Sequence, residues 1–169
     1  MNENYYLEKF KKAAEKINIE ELKAKQLQIH VGITLDSIVL KLYKTTWSNE
    51  NTDPLTAKTR IFFAIWVNEK TLKQNRIYYN IHALKLRELK GYHLKSSDFA
   101  QAFRHDFQKY KNNWKNVNTQ FGPLTLLEGW ESYDKENLEN IIAKLAINFL
   151  TIEHLIDDTL TKFEHSKKH

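Results

Sequence analysis

Glu128 and Trp130, inside FGPLTLLEGWESYD (residues 121–134), are a carboxylate and an indole two residues apart. Such a pair suits a pocket wall, with the ring giving apolar contact and the carboxylate fixing a polar group. Glu131 sits beside them. His82, in IYYNIHAL, adds an imidazole that could act as a general base or a polar wall. The same stretch also has a purely structural reading. Gly122-Pro123 breaks the chain, LTLLEGW reads as a short strand or buried extended segment, and Gly129 permits a tight bend or close backbone approach. Glu128, Trp130 and His82 are therefore the pocket candidates.

A second group is basic. Lys85, Arg87, Lys90, Lys95, Arg104, Lys109, Lys111 and Lys115 face only Glu88, Asp98 and Asp106 over residues 85–115. On a continuous helix, Arg104, Gln108, Lys111 and Lys115 share one side. A row of cations suits a phosphate backbone, because each neutralised phosphate releases condensed counterions. Lys85, Arg87, Arg104, Lys111 and Lys115 are the candidates for nucleic-acid contact; the alternative is the solvated side of a helix. No helix-turn-helix, zinc-finger or RRM aromatic pattern accompanies them.

Three weaker constellations complete the set. Glu153, His154, Asp157 and Asp158 lie within two helical turns, but a metal would need further ligands that the sequence does not identify, and no metal or cofactor is expected. Glu88-Leu89-Lys90 has the acid–X–lysine order that PD-(D/E)xK nucleases place on a strand. Its nearest upstream aspartate, Asp53, lies in a loop, and Asn80 is nearer but a poor metal ligand. His30, like His82, sits in a predicted strand and could be a general base in a cleft or a half-exposed or hydrogen-bonded core residue, and His93 follows Gly91-Tyr92. The GxGxxG, P-loop, HExxH and GxSxG signatures are absent. With no cysteine, thiolate catalysis and Cys-ligated zinc are excluded, and a reducing compartment is suited.

The elements that must position these residues follow from hydrophobic period. The 169-residue chain predicts one domain, and its 12% aromatic content argues against disorder. Tyr6, Phe10, Ala13, Ala14 and Ile17 predict a helix over 3–16, with a short continuation over 19–25. Ile29, Val31, Ile33 and Leu35, then Ile38, Leu40 and Leu42, alternate about a turn at 35–37 and predict a hairpin. RIFFAIWVN is apolar on both faces, as a central strand covered on both sides would be. A loop at 69–75 leads to a fourth strand, whose phase slips near Ala83-Leu84 and suggests a bulge.

Phe99, Phe103, Phe107, Tyr110 and Trp114 predict an aromatic-striped helix running through 114, capped among Ser96, Ser97 and Asp98. Leu138 to Phe163 predicts one long helix over about 135–163, capped by Asp134, of roughly 40 Å at 1.5 Å per residue. That exceeds what a small sheet needs, so its end is expected to pack on the N-terminal helix or on a second copy, a homodimer through this helix being one expectation. The last five or so residues are expected to fray.

The fold class expected is α+β. An N-terminal helix precedes an antiparallel sheet of about four strands, then an aromatic-striped helix and a long C-terminal helix pack on the sheet. The net charge is +5, and neither an apolar secretory core nor a run of about 18 apolar residues is present. A soluble cytoplasmic protein of bacterial type, away from the membrane, fits this. The leading functional reading is a non-catalytic binding or interaction domain. The alternatives are a nucleic-acid-binding module using residues 85–115 and a metal-dependent hydrolase or nuclease.

Overall fold

Strand alternation decides the architecture. In the computed structural model, which describes residues 1–165, β1 (Gln28–Thr34) and β2 (Ser37–Tyr43) pair in the register Ile29↔Leu42, Val31↔Leu40, Ile33↔Ile38. Leu35 takes the left-handed φ of 54° that the tight turn requires. β3 (Arg60–Val67), β4 (Arg76–Leu84) and β5 (Thr125–Ser132) follow, and the sheet is an antiparallel meander in the order β1-β2-β3-β4-β5. The class is α+β, with five strands rather than about four, because Thr125–Ser132 forms a strand that pairs with β4. A register shift between Ile81 and His82 supplies the bulge, slightly upstream of the phase slip in the sequence.

In-phase pairing puts Ile38, Leu40, Leu42, Ile61, Phe63, Ile65, Ile77, Tyr79 and Ile81 on one face, all buried. Helices cover this face. Those flanking the sheet are α1 (Glu3–Glu15), α2 (Ile19–Ala24), α3 (Glu69–Lys73), α4 (Ser96–Phe107), α5 (Leu138–Phe149) and α6 (His154–Thr161). Phe149 of α5 stacks on Phe63, with ring centroids 4.4 Å apart. Trp114 closes over Phe63 and Tyr79, and α1 packs on α5, β1 and β2 while α4 packs on α6 and β5. Gly129 faces Tyr79 across the β4–β5 pair. A Cβ there would lie 2.2 Å from the phenol oxygen, so only glycine lets the ring lie over β5.

Several expected elements differ, each for a local reason. The long C-terminal helix is two helices. At Leu150 to Ile152 the amides bond three residues back, tightening the chain, and Glu153 is buried against Lys44 at 2.8 Å. The 40 Å helix whose spare end suggested a second copy is therefore not formed. α5 is preceded by Asn137, whose side chain accepts from the Asp134 amide, so Asp134 is held by the turn and is not the cap. The aromatic helix stops at Phe107 and tightens into a 3-10 stretch, Gln108–Asn113. Its N-cap is Lys95 and carries no side-chain bond, so Ser96, Ser97 and Asp98 lie inside the first turn. Residues 69–73 form α3, nucleated by a reciprocal capping box between Asn68 and Thr71.

Among the described residues, no helix is long and apolar enough to cross a membrane. The expected fraying concerns residues that, apart from His165, lie outside the described ones. The His165 amide donates to the Gly91 carbonyl.

Candidate ligand site on the uncovered sheet face

The second face of the sheet carries the alternate residues, and in-phase pairing sorts them into rows. One row reads Gly32, Val39, Trp66, Tyr78, Trp130. The next reads His30, Lys41, Ala64, Asn80, Glu128. Beyond it stand Phe62 and His82. Bulky rings therefore flank a central row whose middle residue is alanine, and a hollow of about 380 Å³ opens over Ala64. Every residue lining it comes from a strand, the β1–β2 turn or Asn68 at the end of β3; no helix residue contributes. The expectation that β3 is covered on both sides is corrected accordingly. On its second face Phe62 and Trp66 pack against the His82 and Tyr78 rings of β4, and Ala64 lies opposite Asn80.

The rings stand against one another or under cations. Trp66 and Tyr78 stack with centroids 5.0 Å apart, and the Arg76 guanidinium lies 3.7 Å from the Trp130 ring centre. Lys41 Nζ and the Arg60 guanidinium both sit over Phe62, at 4.7 and 5.3 Å from its centre.

The polar groups in this apolar setting are incompletely matched. Lys41 is 9% exposed and forms no ion pair among the described residues. Burial, then the nearby Arg60 charge, pulls its ammonium below the ordinary lysine range. Arg60 Nη1 donates to the Ala57 carbonyl, but its buried Nε has no partner. Asn80 is 3% exposed; its amide nitrogen donates to Glu128 at 3.3 Å, and its Oδ1 accepts from nothing. His82 Nδ1 lies 3.3 Å from the Thr125 hydroxyl. Burial lowers its pKa, a hydrogen bond to the Leu124 backbone acts the other way, and Arg60 and Lys41 lower it further. Two cations thus face one carboxylate that Asn80 already holds.

Of the pocket candidates, Glu128 and His82 line the hollow, and Trp130 stands in the adjoining row. Glu131 points to the covered face, where Lys115 and Lys144 each approach it to 3.8 Å. Sequence reasoning passed over Lys41 and Arg60, and weighed Asn80 only as a metal ligand. A signal was present: Lys41 is the single charged residue in IVLKLY, and Asn80 lies two residues before His82 in the otherwise apolar and aromatic IYYNIHAL.

The basic candidates are carried by several different short elements. Arg104 donates through Nε and Nη2 to the carbonyls of Leu126, Phe121, Gly122 and Thr125, at 2.8–3.1 Å. Lys111 lies in the 3-10 stretch and Lys115 beyond it, off the helix that carries Arg104. Lys85, in a left-handed conformation, and Arg87 are exposed beside another short turn, Leu86–Glu88.

Glu88-Leu89-Lys90 lies in and after that turn, not on a strand. Asn49 ties it by donating to the Glu88 carbonyl and accepting from the Lys90 amide. Glu153 and Asp157 are engaged by Lys44 at 2.8 and 2.6 Å, and Trp47 Nε1 donates to Asp157 at 2.8 Å. No group of three or more His, Cys, Asp or Glu side chains arranged for a metal ion occurs among the described residues. Comparison with known protein families, curated proteins and solved structures finds no significant match for this chain.

Proposed function

We propose that this chain is a non-catalytic binding domain and that the uncovered face of its sheet is the ligand surface. The observation that carries the reading is the burial of Asn80 Oδ1 and Arg60 Nε without partners at an aromatic-walled hollow, beside the unpaired Lys41. A sheet face that only met water would be lined by exposed polar side chains. Burying an unpartnered guanidinium nitrogen and an unpartnered amide oxygen costs stability, and a ligand that meets them recovers that cost. Concave, mostly apolar sites with a few convergent polar groups are the general form of small-molecule pockets.

Base stacking on this face is less favoured, because the rings are already occupied. Phe62 lies under two cations, Trp130 under Arg76, and Trp66 against Tyr78. Crystals of the full chain soaked with a mixed fragment set of acids, bases and neutral molecules test the proposal. Density over Ala64, touching Lys41 or Asn80, is the expected result. Fragments that gather only on the helical side would overturn it.

A further inference from the structure

Resting on that reading, we infer that the hollow takes a small flat organic acid, with its carboxylate at Lys41 and Arg60 and a hydrogen-bond donor at Asn80. Three features assign the chemistry. The charge is unbalanced towards the Phe62 wall, where two cations lie over one ring and form no ion pair among the described residues. A carboxylate is planar, and it can accept from the free Arg60 Nε and the ammonium together.

The opposite side asks for a donor. Asn80 Oδ1 is an unpartnered acceptor on a side chain 97% removed from solvent, and its amide nitrogen is committed to Glu128. Lys41 and Asn80 flank Ala64 on the two neighbouring strands, so their Cα atoms are roughly 10 Å apart. That span suits a ligand whose two polar ends are separated by a ring. Between them, Ala64 is small enough to leave room for the ring, and Trp66 and Phe62 stand on either side of it along β3.

The test measures 4-aminobenzoate, benzoate, benzamide and inorganic phosphate against the full chain, by tryptophan fluorescence and by amide chemical shifts at Lys41, Ala64 and Asn80. The expected order is 4-aminobenzoate above benzoate, with benzamide and phosphate each weaker than benzoate by roughly tenfold. Lys41→Met and Arg60→Gln are each expected to weaken benzoate by roughly tenfold without changing benzamide. Unaltered far-ultraviolet circular dichroism in both variants keeps a folding defect apart from a binding one.

Benzamide binding as tightly as benzoate at these amides would overturn the acid assignment while leaving the sheet face a binding surface. Phosphate binding equally well would overturn the organic body. No shift at these amides with roughly millimolar 4-aminobenzoate would overturn the inference. If the fragment set also leaves this face empty, the binding-face reading fails with it.

Discussion

Lys41 and Lys44 are buried to nearly the same extent, three residues apart, and their surroundings differ in sign. Lys44 is paired: burial alone would lower its pKa, but the hydrogen bonds it donates to Asp157 and Glu153 outweigh this and leave it raised. Lys41 has no such partner, and burial followed by Arg60 leaves it lowered. The same substitution should therefore act in opposite directions. Lys44→Met strands the buried Glu153 carboxylate and is expected to cost about 3 kcal/mol. Lys41→Met removes a partly solvated ammonium that no carboxylate holds, and is expected to raise stability by less than about 1 kcal/mol. Urea denaturation of both variants checks the pair of signs.

His82 gives the corresponding pH dependence. Its folded pKa lies below its unfolded value of about 6.5, chiefly through burial. In the window between the two values the unfolded chain binds the extra proton, so stability rises with pH there. The His82 contribution is complete above about pH 6.5 and is lost as pH falls towards the folded pKa. Urea midpoints at pH 7.5, 6 and 5 should decline for the wild type, and more shallowly for His82→Gln.

At the scale of elements, two contacts hold β5 in place. The Tyr79 ring crosses it at Gly129 and donates its phenol proton to the Lys115 carbonyl at 2.6 Å. Gly129→Ala should cost about 3 kcal/mol by displacing that ring, with partial relief from Tyr79→Leu. Arg104 gathers two carbonyls of the turn before β5 and two at its start, so Arg104→Ala should cost about 2 kcal/mol and speed amide exchange over residues 121–126. Thermal or urea unfolding of each variant reads both costs.

The elements were legible where the local pattern and the tertiary packing agree. The β1–β2 hairpin, β3, β4 and α1 follow directly from Ile29 to Leu42, RIFFAIWV, IYYNIHAL and Tyr6 to Phe10. The long C-terminal helix was misread because Leu138 to Phe163 keeps a helical seam through a break that tertiary ion pairing stabilises at Glu153. The site was half legible for a related reason. Glu128 and His82 announce themselves by type, whereas Lys41, Arg60 and Asn80 matter only because strand register sets them around Ala64. Register depends on partners distant in sequence, and one strand read alone cannot supply it.

For the whole molecule, the two faces of the sheet divide the work. The covered face carries the stability: Phe103 and Phe149 are completely buried, and truncating either to alanine should cost about 3–5 kcal/mol by thermal or urea unfolding. The uncovered face carries polar groups that folding alone does not repay, and that imbalance is the ground for assigning the ligand to it. The most direct measurement is amide shift mapping of the isotopically labelled full chain as 4-aminobenzoate is added. The account predicts that the largest shifts fall on Lys41, Ala64, Asn80 and Glu128, with residues 85–115 and the helices nearly still. Shifts concentrated on the basic segment or the helical layer, with those four amides unmoved, would contradict it.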